Sequence, residues 1–168
     1  MKDAGLTILE LLVVVILTGI IVIVIGQTYI TGLEIWRDGY ERSVARDQTS
    51  QALERITKAL RQAKGIDDFS EGSIVFSADL GGGDDSYRVY LYHPSDTEPN
   101  PPYTQGLYEL RWAQGDVSYG QGAVLAKDIQ QPLSAAFTFN NGLVTVDLTN
   151  NLLDSSLRFR SNIQLRNL

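Results

Sequence analysis

The chain has 168 residues, of which 43% are hydrophobic and 20% are charged, and 14 Lys and Arg against 20 Asp and Glu give a net charge of −6. This is the length of about one domain. The acidic balance and the lack of a basic cluster argue against a dedicated nucleic-acid-binding protein, because neutralising phosphates requires grouped Lys and Arg. The absence of cysteine excludes disulfides, thiolate zinc sites and a cysteine nucleophile.

The first element in chain order is an apolar run. Of the 20 positions from 6 to 25, 16 are aliphatic, which the mean hydropathy of the whole chain, −0.07, conceals. As a helix this run would be ~30 Å long, about the thickness of the hydrocarbon core of a bilayer. A signal peptide would have a shorter apolar core followed by small residues, a pattern that Gly26, Gln27 and Thr28 do not follow. We therefore expect a membrane-spanning helix that stays in the mature protein.

Glu10 interrupts this apolar run. A carboxylate near the centre of a bilayer costs about 2.5–3.5 kcal/mol, although a position close to the start of the run would let it reach the interface. An ionisable group in a membrane segment usually has a function and a partner. Glu10 is therefore a candidate functional residue.

The residues around Glu10 resemble the prepilin cleavage and methylation motif of type IV pilins and type II secretion pseudopilins. In that motif a short polar leader ends in Gly, a hydrophobic residue follows the cut, and Glu occupies the fifth mature position. Gly5, Leu6 and Glu10 match this spacing. The chain departs from the motif in having Leu6 where Phe is usual and a leader in which Asp3 offsets Lys2, so its orientation rests on the resemblance rather than on charge.

The resemblance implies that a prepilin peptidase cuts between Gly5 and Leu6 on the cytoplasmic side and methylates the new amine of Leu6. It implies that Glu10 pairs with the N-terminal charge of a neighbouring subunit, because two charges that are costly alone in lipid neutralise each other. The chain would then be a single-pass protein of the cytoplasmic (inner) membrane with its C-terminal domain outside the cytoplasm, in the periplasm or at the cell surface. Its partners would be other pilin or pseudopilin subunits, the prepilin peptidase, an inner-membrane assembly platform and membrane lipid.

Helical periodicity continues beyond the apolar run. Apolar residues recur at spacings of three and four or their sums, with charges of both signs between them: Leu33, Trp36, Tyr40, Val44, Ala52, Ile56, Leu60 and Ala63. We expect this amphipathic part to end at Lys64, because basic residues gather in the last turns and Gly65 follows. Glycines interrupt the helix, either as bending points in a filament or as sites of close helix packing: Gly19, Gly26, Gly32 and Gly39.

After Gly65 the pattern changes to short alternating runs that are typical of strands. Six strands are predicted, at 73–78, 86–92, 107–113, 133–140, 143–149 and 157–165. Asn141-Gly142 predicts a tight hairpin turn and Asn150-Asn151 a looser one, and residues 124–131 are predicted as a short helical turn.

The predicted fold class is α+β, with one long N-terminal helix packed on a C-terminal antiparallel β-sheet, because the apolar stripe of the helix would cover one face of the sheet. The resemblance implies the same pilin-like architecture. The expected organisation is a leader at 1–5, a transmembrane half-helix at 6–30, an amphipathic half-helix at 31–65 and a sheet domain at 66–168. Residues 51–65 and 163–168 resemble the corresponding parts of minor pilins of the PilW class and of minor pseudopilin J.

Other candidates for chemistry are weaker. Asp79, Asp84 and Asp85 surround three glycines, so this segment is either a calcium site or a solvated hairpin loop. His93, Ser95 and Asp96 have the residue types of a hydrolase triad, but neighbouring side chains on a Pro-rich loop cannot hold nucleophile, base and orienting acid in line. We therefore expect no catalytic residue and, calcium aside, no cofactor.

Two classes of function remain open. The first is a structural subunit, a minor pilin or pseudopilin of a type IV pilus, a competence pilus or a type II secretion pseudopilus. The alternative is a membrane-tethered or pilus-displayed module whose loops contact a substrate, a surface or DNA. Residues 66–168 contain 13 acidic and 6 basic residues, whereas residues 34–64 contain 7 basic and 5 acidic residues. This division favours subunits that complement one another in charge and makes binding of nucleic acid the less favoured alternative.

Overall fold

The computed structural model describes residues 7–98, 106–130, 135–152 and 155–165. These residues form one helix, α1 at Ile8–Arg61, and eight strands, which are β1 Ala63–Ser70, β2 Ser73–Asp79, β3 Asp84–Tyr92, β4 Leu107–Gln114, β5 Ala123–Gln130, β6 Phe137–Asn140, β7 Leu143–Leu152 and β8 Ser155–Gln164. The chain divides into two compact units, Met1–Glu41 and Arg42–Leu168. The last part of α1 therefore belongs to the same unit as the sheet.

In the first unit, all described side chains are exposed. Within the described residues, α1 is the one helix long and apolar enough to cross a membrane, and none of its apolar window is buried in the protein. The hydroxyls of Thr18 and Thr28 donate to the carbonyls of Val14 and Val24, at 2.7 and 2.9 Å. These bonds satisfy the hydroxyl donors of the two threonines within the helix itself. The prediction of an N-terminal helix able to span a membrane is confirmed.

The helix continues without a break through its four glycines. No other part of the described chain lies within 4 Å of the position that a Cβ would take at Gly19, Gly26, Gly32 or Gly39. Close packing at these positions would therefore need another molecule, and bending in a filament stays the alternative.

In the second unit, α1 buries one stripe against the sheet. Its buried residues recur every three or four positions, as one face of a helix requires: Ala45, Thr49, Ala52, Ile56, Ala59 and Leu60. Ile56 and Leu60 are fully buried in a core that includes Phe76, Val89 and Leu110 of the sheet. Burying each such large apolar side chain contributes about 1.5–3 kcal/mol. The helix end and the sheet thus share one core.

The sheet is antiparallel throughout and is curled. Its order is β1-β2-β3-β4-β5-β7-β6, and β8 pairs with β7 along the other edge. The curl brings β6 back to the beginning of the sheet, where the Phe137 amide donates to the Glu71 carbonyl at 3.2 Å and the rings of Phe69 and Phe139 lie 6.3 Å apart. The predicted fold class, α+β with a long N-terminal helix packed on an antiparallel sheet, is confirmed.

The helix end was predicted wrongly. Helix α1 ends at Arg61 rather than Lys64, and Ala63–Ser70 forms a strand that the sequence did not predict. Pairing with β2 captures this segment, because Ala63 lies opposite Ala78 and Gly65 opposite Ser77. Two register shifts in this pairing disrupt the alternation by which a strand is recognised in a sequence.

Two further predictions about the sheet were wrong. The helical turn predicted at 124–131 is contradicted by β5, which occupies Ala123–Gln130. Strand β5 contains a bulge, with Asp128 at φ +58°, so that its buried residues are Ala126 and Ile129. Buried residues three positions apart are typical of a helix, and this spacing led to the wrong prediction. Asn150 and Asn151 lie inside β7 rather than in a turn.

The tight hairpin at Asn141-Gly142 agrees with the prediction. Asn140 pairs with Leu143, and both residues between them have positive φ, +47° and +76°. Two consecutive residues of positive φ form the turn whose twist matches that of a two-residue hairpin.

Asn150 links the helix to the sheet. It is 1% exposed and forms, with Ile129, the pair through which β5 and β7 join. Its amide nitrogen donates to the Thr49 hydroxyl at 3.0 Å and to the Lys127 carbonyl at 3.3 Å. A buried polar bridge of this kind fixes one register of the helix on the sheet, because sliding would leave its groups unpaired.

We expect Asn150→Ala to lower the free energy of unfolding by about 1–3 kcal/mol, since buried partners lose their hydrogen bonds. The control is Asn162→Ala at an exposed position of β8, whose amide oxygen accepts the Thr145 hydroxyl at 3.0 Å in a bond that is only partly buried. Urea unfolding of the full chain in detergent measures both. Equal losses in the two variants would show that Asn150 is not a specific link.

The Asp147–Arg158 ion pair joins β7 to β8, with Arg158 Nε 2.8 Å from Asp147 Oδ1. Hydrogen bonding from Arg158 lowers the pKa of Asp147 below its ordinary value of 3.8. Stability from a carboxyl with a lowered pKa is present above the ordinary value and is lost as the pH falls through the folded value.

We therefore expect the melting temperature to fall as the pH drops below about 4, and to fall less in Asp147→Asn than in the parent chain. Asp116→Asn, at an exposed position outside this pair, serves as the control and should keep the full acid dependence. The same acid dependence in Asp147→Asn and the parent would contradict the assignment.

Candidate processing and assembly site

The described structure begins at the start of the helix. Gly5 and Leu6, the predicted cleavage and methylation positions, lie outside the described residues. The Glu10 backbone amide donates to the Thr7 hydroxyl at 3.3 Å, and the Thr7 amide donates to Glu10 Oε2 at 3.4 Å. This reciprocal pair is a capping box, which satisfies two of the amides left free at a helix N-terminus.

The capping box leaves the Glu10 carboxylate available to other partners. Both of its bonds are longer than the usual 2.9–3.0 Å and both are exposed. Long bonds of this kind exchange readily for a shorter one in which the donor as well as the acceptor is charged. Glu10 therefore has a local partner in the isolated chain that a cation from another molecule can replace.

The acidic segment predicted as a loop is a hairpin connection. Asp79 and Asp84 close it as a strand pair, so the loop itself is limited to Leu80 and three glycines, and Asp84 and Asp85 lie in β3. The amides of Gly81 and Gly83 donate to Asp79 Oδ1 at 3.0 and 3.3 Å, and these bonds lower the pKa of Asp79. Positive φ at Gly81 and Gly83 allows this close turn.

Each of the three carboxylates has a partner of its own. Lys64 bonds to Asp84, and Gln114 donates to Asp85 Oδ2 at 2.7 Å. Within the part of the chain that the structure describes, no three acidic or histidine side chains form a group suited to a metal ion. The geometry favours the hairpin-loop interpretation of this segment over the calcium interpretation.

We expect millimolar Ca²⁺ to leave the melting temperature unchanged, because binding would have to break three existing interactions. Mg²⁺ at the same concentration controls for ionic strength. A rise with Ca²⁺ that is absent in Asp79→Asn would instead identify a calcium site.

The residues of the triad hypothesis have separate contacts. His93 Nδ1 accepts the backbone amide of Ser95 at 3.2 Å, and Asp96 Oδ2 accepts the Tyr108 hydroxyl at 2.6 Å. The His93 ring lies 5.2 Å from the Tyr108 ring. These contacts fix the start of the loop against β4. The rest of the Pro-rich segment, 99–105, lies outside the described residues.

Between the helix end and the sheet lies a cleft that the sequence pattern does not predict. The cleft has a volume of about 430 Å³. We call it the Arg55 cleft and define it by Arg55, Lys58 and Gln62 of α1, Tyr87 of β3, and Trp112 and Gln114 of β4. The helical spacing of Arg55, Lys58 and Gln62 is visible in the sequence, but their position opposite Trp112 depends on sheet pairing.

Comparisons with protein-family models, with curated proteins and with solved structures find no match for this chain. Inference about its function therefore rests on the N-terminal residues, the exposed apolar helix and the Arg55 cleft.

Proposed function

We propose that this chain is a minor pilin or pseudopilin, a structural subunit that a prepilin peptidase processes between Gly5 and Leu6. It is assembled into, or primes, a type IV pilus, a competence pilus or a type II secretion pseudopilus. Its function is carried out through packing and charge pairing rather than catalysis.

The observation that carries this proposal is the position of Gly5, Leu6 and Glu10 at the start of an apolar helical segment, none of whose membrane-length window is buried within the described protein. Exposed aliphatic side chains such as Ile16 and Ile23, 54% and 61% exposed, require lipid or other subunits around them. A simple membrane anchor accounts for the apolar residues. It does not account for a glutamate placed five residues after a glycine.

The charge of Glu10 favours transfer of the helix from the lipid into a filament. In the isolated chain, the Glu10 carboxylate accepts one long hydrogen bond, from the Thr7 backbone amide at 3.4 Å. The methylated amine of a neighbouring Leu6 would offer it a full positive charge in a medium of low dielectric constant. In this proposal, assembly joins two groups that are each costly alone.

The proposal places the chain in the cytoplasmic membrane as a single-pass protein, with the sheet domain outside the cytoplasm. The lipid and a prepilin peptidase are its first partners, and other pilin or pseudopilin subunits and the assembly platform follow. The resemblance of residues 51–65 to PilW-class minor pilins and minor pseudopilin J supports a minor subunit. The Arg55 cleft is the observation that favours the alternative, a displayed binding module.

Three substitutions separate charge pairing from helix capping. Glu10→Val removes both, Glu10→Gln retains a capping side chain without charge, and Thr7→Val weakens the cap but retains the charge. We expect all three to enter the membrane. Only Thr7→Val should be incorporated with the other subunits at the parental level, as measured by co-purification with the filament from the native host.

Leu9→Val, which changes packing but neither charge nor cap, is the matched control and should behave like the parent. Parental incorporation of Glu10→Gln would show that charge pairing is not required. Parental incorporation of Glu10→Val would contradict the assembly role of Glu10 altogether.

A further inference from the structure

The Arg55 cleft is positively charged. Arg55 and Lys58 both line it and are exposed, and no described carboxylate lines it. Within the described residues, neither of these two side chains forms an ion pair. Two cations without a counter-charge beside a concave surface favour an anionic occupant.

Arg55 is oriented for such an occupant. Its guanidinium carbon lies 5.1 Å from the centre of the Trp112 ring, so the aromatic face supports the charged group. A guanidinium stacked on a ring keeps its edge donors free, and these match the two oxygens of a carboxylate. Because this stacking already restricts the Arg55 side chain, binding costs little further side-chain entropy.

The floor of the cleft is apolar and rigid. Trp112, Tyr87 and Phe76 pack with ring centres 5.5–5.9 Å apart, and all three are buried. Leu80, which is 37% exposed, lies at its rim on the loop between β2 and β3. The cleft therefore suits a carboxylate with an apolar or aromatic group next to it.

The same domain presents this chemistry at one end of the β1–β2 pair. Asp68, Phe69 and Glu71, around the turn between β1 and β2, are all exposed. Strand β2 leads from this turn to the loop that carries Leu80, and its seven residues span ~23 Å at the usual rise per residue. Asp68 pairs with Val75, which is next to Phe76 in β2, and neighbouring residues of a strand face opposite sides of the sheet. The Asp68 carboxylate therefore lies on the side of the sheet away from its own cleft.

We propose that the Arg55 cleft binds an acidic turn of this kind on a neighbouring subunit. Such a contact joins different surfaces of two molecules, and contacts of this type extend into filaments when they do not close into a ring. The inference rests on the proposed function, for which it names the surface by which the sheet domain holds its neighbour.

Binding can be measured with the full chain in detergent and a labelled peptide of residues 65–74, blocked at both ends. Fluorescence polarisation gives the affinity. In Trp36→Phe, Trp112 is the remaining tryptophan of the two in the chain, so its emission reports whether the peptide occupies the cleft. We expect saturable binding that changes this emission and weakens with added salt.

Arg55→Gln should lower the affinity at least about tenfold, as expected for the loss of charge-assisted hydrogen bonds. Arg46→Gln removes an exposed helix arginine that does not line the cleft, and it is the matched control. Thermal melting of Arg55→Gln beside the parent shows whether the variant is folded. Arg55→Lys, which retains the charge, should bind with intermediate affinity if Arg55→Gln melts early.

Equal affinity in Arg55→Gln and Arg46→Gln would overturn the inference. Equal binding of a peptide with Asn and Gln in place of Asp and Glu would also overturn it. Displacement of the peptide by succinate at the peptide's own concentration would overturn it too, because it would indicate a site for free organic acids. Failure here together with normal incorporation of the parent chain would leave the proposed function in place. If the parent chain binds the peptide but the Glu10 variants are incorporated normally, the proposed function would be contradicted. The inference that the cleft binds an acidic turn would then still stand.

Discussion

The burial of the last turns of α1 in the curled sheet is the interaction on which the rest of the structure depends. Ile56 and Leu60 are fully buried there, and Asn150 fixes the register through Thr49. This packing places Arg55 over Trp112 and forms the cleft. It also gives the unit Arg42–Leu168 a core of its own, so that the first unit, Met1–Glu41, need contribute nothing to that core.

One helix consequently carries two different surfaces. From residue 42 onward it has an apolar stripe that the sheet covers, whereas residues 7–41 expose all their side chains, most of them aliphatic up to Ile25. The first surface is satisfied within the chain and the second requires an environment outside it. Within this exposed part, Glu10 is the acidic residue of the first turn, its carboxylate accepts one long capping bond, and the proposed function assigns it the contact with another subunit.

The sequence predicted what local pattern and length determine. The apolar run, the helical stripe through Ile56 and the Asn141-Gly142 hairpin all follow from the spacing of residues along the chain. Features that depend on pairing with distant residues were missed. Bulges gave β1 an irregular pattern and gave β5 a helix-like one. The buried position of Asn150 depends on Thr49 and Lys127, which are far away in the sequence and accept hydrogen bonds from its amide nitrogen. The Arg55 cleft could not be predicted, because it too depends on the pairing of distant strands. Glu10, in contrast, was predicted as a candidate functional residue from its place in the motif.

The central claim is that the exposed apolar helix belongs to a processed filament subunit, and the mass of the native N-terminal peptide tests it most directly. The chain should be purified from the membrane of its native host and its N-terminal fragment sequenced by mass spectrometry. The account predicts a chain that begins at Leu6 with a methyl group on its amine. A chain that still begins at Met1, or one cut after the apolar run, would contradict it.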